Sequence, residues 1–491
     1  KKIKMKGLVS SLLLGTAWSY YTASKSDSFI YDKYGRVSIF HGENFVQKGE
    51  PWYPEVLRDT KHIAEMQSWG FNTVRLGVMW TGVEPQKGVF NETYIQVISD
   101  MIDDLEAHGI HALLDVHQDV ISTYFCLYDG APTWLIDLST SSEKEFPWPL
   151  EWDGTNPCPS NRPWGQNYLA EATGAAFQDL YDNVNGMRDH FASFWSKVAS
   201  SFKNKNILGY EIINEPWVGN WFKQPSLLLP GIAGSTNLQP FYDVISNAIR
   251  KEDPNHLIFY EPVTWGMIFN GTVSGSGFTH VPGGSEYADK SVFSFHYYCW
   301  WWSEDDNLTR QTCDRMFGEK VFNQVQEDIN ILGGSSMMTE WGLGCDPTYG
   351  IIDECDPIMN LADSHLVSWT DWWWTGPLMS NWNAKPEAIA IYSRTYAQYI
   401  AGTPTVMKYD SKTLNFKLCY DINTNIVQPT EIYFNNEIHY TNGVNVKLTG
   451  SGASGIDVAV DSNRIYLTYN PTKVEKIEND SLDVCAYITS K

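Results

Sequence analysis

The run "ILGYEIINEP" (residues 207–216) decides how this chain is read. It starts apolar and aromatic, as a buried strand does, and stops in Asn214, Glu215 and Pro216. A parallel strand covered on both faces reads as a short continuous apolar stretch bounded by turn residues. Polar groups at its C-terminal end therefore need a separate reason.

Seven further runs share this design. They are "RVSIFHGEN" (36–44), "FNTVRLGV" (71–78), "IHALLDVHQ" (110–118), "HLIFYEPV" (256–263), "SVFSFHYY" (291–298), "SMMTEWG" (336–342) and "HLVSWTDWWW" (365–374). Helical spacing fills the intervals. In "RDTKHIAEMQSWG" (58–70), Ile63, Met66 and Trp69 fall on one face and Gly70 marks the stop. "ETYIQVISDMIDDLEAHG" (92–109) and "PFYDVISNAIRKEDP" (240–254) behave alike. Eight β/α units predict an α/β fold, a (β/α)8 barrel over residues 25–402. Two connections, 119–175 and 217–239, are long enough to be functional loops. Beyond residue 402 the helical period disappears. Short alternating runs such as "LNFKLCYDI" and "RIYLTYN" predict a small β-sandwich over 403–491.

The formal net charge of −23 works against nucleic acid and anionic membrane surfaces as partners. The chain opens "KKIKMKGLVSSLLLGTAWSYYTASKS", lysines before a short apolar run that ends in small residues. This is the pattern of a secretory signal, expected over residues 1–24, with cleavage after Ala17 or near Ala23. Eight cysteines without a CxxC pair fit disulfides rather than zinc. Proximity along the chain suggests Cys126–Cys158, Cys299–Cys313, Cys345–Cys355 and Cys419–Cys485. Asn91, Asn270, Asn307 and Asn479 begin glycosylation sequons. A secreted or lysosomal location follows as an expectation.

Active sites of such barrels lie at the C-terminal ends of the strands. Polar residues there are Arg75 on strand 2; Asp115, His117 and Asp119 on strand 3; Asn214 and Glu215 on strand 4; His296 and Tyr298 on strand 6; and Glu340 on strand 7. Any one of them alone is more readily a structural hydrogen-bond partner. Together they gather at one end of one barrel. Glu215 and Glu340 would face each other across its mouth, and such a pair suits glycoside cleavage: one carboxylic acid protonates the leaving oxygen, the other attacks the sugar carbon or activates water. Both steps are carboxylate chemistry and call for no metal or cofactor.

"INEP" (213–216) with "TEWG" (339–342), "NTVRL" (72–76), the His296–Tyr298 pair and "SWTDW" (368–372) resembles glycoside hydrolase family 5. The resemblance covers roughly residues 30–400. It implies that Glu215 is the acid/base, Glu340 the nucleophile, and Asn214 the partner of the sugar 2-hydroxyl. Tyr298 and Arg75 would hold the nucleophile, and His296 would line the sugar site. "LLDVHQDV" (113–120), "FHGENFVQKG" (40–49) and "YSRTYAQYIAGTP" (392–404) before a β-domain look like the endoglycoceramidases within that family. That likeness implies contacts of Lys48, Asp115, His117 and Asp119 with the sugar nearest the cut, and stacking by Trp372. It implies a retaining endoglycosidase that separates glycan from ceramide in glycosphingolipids, a monomer working at a membrane surface or on micelles. The rivals are another β-glycosidase of the family, such as an endo-β-glucanase or a steryl glucosidase, and a non-catalytic carbohydrate-binding barrel. "WFKQPSLLLPGIAG" (221–234) and "WLIDL" (134–138) are candidate walls for the lipid; Leu227–Leu229 read equally well as a buried loop core.

Overall fold

The computed structural model describes residues 20–126, 129–152, 154–263, 275–298, 314–342, 355–372, 379–380, 383–473 and 482–491. Eight parallel strands close into a barrel. Barrel strands 1 to 8 are His41–Phe45, Thr73–Gly77, His111–Asp115, Ile207–Glu211, Leu257–Tyr260, Ser291–Tyr297, Ser335–Trp341 and Ser368–Asp371. Strand 8 pairs with strand 1 through Asp371 and Glu43, which closes the cylinder. All eight fall inside the runs expected from the sequence or within a residue of them.

The helices form where apolar spacing and caps agree. Asp59 caps Thr60–Ser68 by accepting the Lys61 amide, and Ile63 and Met66 are buried. Glu92–Ala107 is capped by Asn91, and Tyr94, Ile95, Ile98, Met101, Ile102 and Leu105 make one buried stripe. Asn91 itself is exposed. Asn270, Asn307 and Asn479 lie outside the described residues.

The C-terminal region is two antiparallel sheets around one core. One has four strands: Gly402–Asp410, Asn415–Ile422, Asp483–Ser490 and Val444–Thr449. The other has seven, and its membership corrects the expected boundary. Ile30–Tyr31 and Val37–Ser38, placed in the barrel segment by sequence, and Thr22–Ala23, placed in the leader, enter this sheet, as does Tyr396–Ile400. Val37 pairs with Ile400, so the start of the fold is stitched to its last domain.

The expected leader boundary also shifts. Tyr21 and Ala23 are 3% and 4% exposed, in a cluster with Phe40, Leu113, Leu208, Leu257, Phe259, Val292 and Met337 at the barrel floor. The Tyr21 hydroxyl lies 2.9 Å from His111 Nε2. Residues 21–24 therefore belong to the folded body, and a leader running to 24 would remove part of its core.

Cys126 is bonded to Cys158, and Cys419 to Cys485, as the spacing suggested. The first bridge ties down the long loop after strand 3; the second joins directly opposed residues of neighbouring strands. The remaining pairings fall on Cys299, Cys313 and Cys345, outside the described residues; Cys355 is disulfide-bonded.

Candidate active site

Glu215 follows strand 4 by four residues and has a backbone φ of +40°, in the left-handed region that non-glycine residues avoid. The position before Pro216 makes this more unusual, because proline biases its predecessor toward extended backbone. Three groups over-determine the turn. Gln118 Nε2 donates to the carbonyls of Asn214 and Glu215, at 2.6 and 2.9 Å. The Asn214 side-chain amide donates to the Gln118 carbonyl at 3.0 Å. Both carboxyl oxygens of Glu261 lie 3.3 Å from the Glu215 amide.

Glu340 comes from strand 7. Its Oε1 accepts the Tyr298 hydroxyl at 2.6 Å, and its Oε2 accepts Arg75 Nη1 at 3.2 Å. One carboxyl oxygen each from Glu215 and Glu340, with His296, lie within 4.8 Å of one another. Carboxyl groups about 5–5.5 Å apart suit a retaining enzyme, whereas an inverting one needs about 6.5–9.5 Å to admit water.

Arg75 is fully buried and organises the floor of this site. Its Nε donates to Glu211, Nη1 to Asn44 Oδ1 at 3.0 Å, and Nη2 to Asn214 Oδ1 at 2.9 Å. Asp115 lies 3.2 Å away and Glu261 3.7 Å. Glu211, the first glutamate of "EIINEP", is thus a structural counterion below the mouth, also accepting the Thr339 hydroxyl at 2.8 Å.

His117, Asp119, Lys48 and Trp372 make a second group. His117 Nδ1 sits 2.9 Å from Asp115 Oδ2. The His117 ring stacks on Trp372 with centroids 5.0 Å apart and planes 10° apart. Lys48 is ion-paired to Asp119 and lies 3.4 Å from Asp129, with its ammonium 5.0 Å from the Trp372 ring centre. Every one of the eleven expected site residues is in one connected array. Trp373 and Trp374, and the second "WWW" run at 300–302, fall outside the described residues.

The electrostatics separate the two central acids. Burial, then the charge of Asp119, pushes Glu215 up to about 8. Burial also raises Glu340, to about 7, with His296 opposing and Glu215 reinforcing the shift. Burial lowers His296, which favours a neutral imidazole. Burial raises Asp115 to about 6 against the pull of Arg75. For Asp119 burial is outweighed by Lys48, which holds the carboxylate below its ordinary value. Among the described residues, three groups of carboxylates and imidazoles are close enough to hold a metal ion. Lys48 already sits between Asp119 and Asp129, and Arg75 contacts Glu211, Glu261 and Glu340, so each group has a protein cation within it.

Four buried polar residues escaped the sequence reading: Asn44, Gln118, Asp129 and Glu261. Asn44 is the penultimate residue of strand 1 and Glu261 follows strand 5 directly, so the rule applied to the other strand ends finds both. Gln118 sits between His117 and Asp119 and points to the opposite side. Asp129 arrives on a long loop that gives no periodic signal. Of the expected lipid walls, Leu135 and Ile136 of "WLIDL" are buried core, as is Leu227, whereas Leu228 and Leu229 are 39% and 59% exposed.

Residues 32–377 match the family described as cellulase, glycosyl hydrolase family 5, and residues 394–484 match the glycoside hydrolase family 5 C-terminal domain. An endoglycoceramidase of Hydra vulgaris is 35% identical over 499 residues, covering 96% of this chain and 90% of that protein. One from Cyanea nozakii is 35% identical over 447 residues, 85% and 84% of the two chains. Endo-glycoceramidase II from Rhodococcus sp., solved in complex with ganglioside GM3, superimposes with a TM-score of 0.74 at 22% identity, covering 95% of this chain and all of that one.

Proposed function

Because the chain belongs to glycoside hydrolase family 5, among its endoglycoceramidases, we propose a two-step cleavage in which Glu340 is the nucleophile and Glu215 the acid/base. The enzyme is a retaining endoglycosidase that hydrolyses the β-linkage between glycan and ceramide in glycosphingolipids. In the first step Glu340 attacks the anomeric carbon while Glu215 gives its proton to the ceramide oxygen. In the second, Glu215 takes a proton from water, which releases the intact glycan.

The observation that carries this reading is the approach of the two carboxyl groups to within 4.8 Å, with different environments. Glu340 has two hydrogen-bond donors for its anionic form, Tyr298 and Arg75. Among the described residues Glu215 has none beyond His296, and burial keeps it a proton holder. Asn214 holds the sugar 2-hydroxyl. Lys48, Asp115, His117 and Asp119 bind the sugar next to the cut, and Trp372 stacks on it.

The ceramide leaves along the loops after strands 3 and 4. Trp148 packs on Phe222 with ring centroids 5.2 Å apart, and Leu228 and Leu229 stand exposed nearby in sequence. Such exposed apolar side chains suit a lipid at a membrane or micelle surface better than a glucan chain. A monomer suffices, since one chain supplies the whole array. Secretion is supported by the basic-then-apolar leader, the two bridges and the exposed sequon at Asn91.

Incubation with a ganglioside tests the reading. Ceramide and the intact glycan, released with the β-configuration retained, are expected. Stepwise release of monosaccharides, or initial release of the α-anomer, overturns it.

A further inference from the structure

Glu261 is 3% exposed, follows strand 5 directly and has no part in the two-step scheme. It nonetheless touches the acid/base by two routes. Its carboxyl faces the Glu215 amide at 3.3 Å from each oxygen, at the residue with the left-handed φ. Its Oε1 also lies 3.4 Å from His296 Nε2, and His296 Nδ1 lies 2.9 Å from Glu215 Oε1. Glu261, His296 and Glu215 stand in series: His296 Nδ1 is hydrogen-bonded to Glu215, and its buried Nε2, which makes no hydrogen bond among the described residues, lies beside Glu261 Oε1.

Proton placement along that series has chemical consequences. An imidazole held neutral by burial carries one N–H. If Nε2 bears it, Nδ1 accepts from Glu215, and the acid proton is turned away from the substrate. If Nδ1 bears it, that N–H donates to Glu215 Oε1. The Glu215 proton then rests on Oε2, free to reach the leaving oxygen. The second arrangement needs a donor for Nε2, and Oε1 of Glu261 is the group there.

Charge in the barrel decides which form Glu261 takes. Arg75 is the cation shared by Asp115, Glu211, Glu261 and Glu340. One guanidinium does not keep four buried carboxylates ionised, and the most distant of them protonates most readily. That is Glu261, 3.7 Å away against 3.2 Å or less for the others. Burial, then the charge of Glu211, raises it well above the usual carboxylate range. Its backbone carbonyl is fixed by the Tyr242 hydroxyl at 2.8 Å, which holds the residue in place.

We propose that Glu261 is a positioning residue for the acid/base: as a neutral acid it donates to His296 Nε2, so that His296 Nδ1–H donates to Glu215 Oε1 and the Glu215 proton faces the substrate. The inference rests on Glu215 being the acid/base. No proton is consumed: Glu261 and His296 keep theirs while Glu215 gives its own to the ceramide oxygen.

The test compares E261Q with E261L on two substrates, lactosylceramide and 2,4-dinitrophenyl β-lactoside, whose leaving group departs without a proton. The glutamine keeps an N–H for Nε2 and a carbonyl oxygen for the Glu215 amide; the leucine keeps neither. E261Q is expected within about 3-fold of wild type on both. E261L is expected to lose about 100-fold in kcat on lactosylceramide, the size of a lost acid contribution, and under 10-fold on the aryl lactoside. Three results overturn the proposal: E261Q falling with E261L, equal losses on both substrates, or full lactosylceramide activity in E261L. E215Q serves as the reference. If it too loses both substrates equally in the glycosyl-transfer step, the acid/base reading itself fails, whatever Glu261 does.

Discussion

Tyr298 and Arg75 hold opposite oxygens of one carboxylate. The phenol donates to Glu340 Oε1 over 2.6 Å, and the guanidinium donates to Oε2 over 3.2 Å. Both interactions favour the anion, which is the attacking form. A hydrogen bond to a charged group contributes about 1.5–3 kcal/mol. Y298F should therefore lower kcat by about 10- to 100-fold with little change in KM. The lost bond also raises the Glu340 pKa, so the acidic limb of the pH–rate profile moves to higher pH. An unmoved limb removes Tyr298 from the work of holding the charge.

The two acids should fail in different ways. E340Q is expected to abolish turnover on every substrate while thermal unfolding stays close to wild type. E215Q should barely cleave a glycolipid. It should still form the covalent intermediate from 2,4-dinitrophenyl β-lactoside and then stall, giving a burst and a lactosylated protein by mass spectrometry. Burial places Glu215 near 8, above Glu340 near 7, so activity falls as pH rises and Glu215 loses its proton. That alkaline limb should be present with lactosylceramide and absent from the burst rate with the aryl lactoside. Identical limbs with both substrates assign it to another group.

Lys48 is the counterion of two buried carboxyl groups, Asp119 and Asp129. K48M leaves them without one, and breaking a buried pair costs about 3–5 kcal/mol. The cost should depend on pH. Without the ammonium, the pKa of Asp119 in the folded protein rises above its unfolded value. The folded state then binds the extra proton in acid, and stability drains away as pH rises through the new value. The melting-temperature deficit of K48M should accordingly be larger at pH 8 than at pH 5. A deficit independent of pH would mean that Lys48 acts through packing on Trp372 instead.

Tyr21 anchors the start of the folded body at the barrel floor. N-terminal sequencing of the protein recovered from a eukaryotic secretion host should find Tyr21 retained, as cleavage after Ala17 gives. Loss of residues 21–24 in an active, stable product would show that the floor packs without them.

Much of this site is written in the chain because barrel strands are short and end where the chemistry begins. Glu215, Glu340 and His296 each stand at or just past such an end, and Arg75 lies within strand 2, so locating the strands located them. The ties that fix their states are harder to read. The counterion role of Glu211 depends on Arg75, 136 residues earlier. The pairing of Asp129 with Lys48 depends on the path of an aperiodic loop. The N-terminal strands were misplaced because two-residue strands carry almost no periodic signal. Glu261 is legible by the same rule: it follows strand 5 directly, as Glu215 closes the run after strand 4.

The seam between Val37 and Ile400 constrains how the protein is made. Synthesis is vectorial, and Val37–Ser38 leaves the ribosome more than three hundred residues before its partner Tyr396–Ile400. Barrel strand 1, four residues after Val37, likewise waits for strand 8. A nascent chain halted before residue 368 therefore carries an open barrel, and one halted before residue 396 still carries an unpaired leading edge, a target for chaperones and for mispairing with other chains. Emergence of residues 396–400, rather than completion of the barrel, is the event that seals this edge.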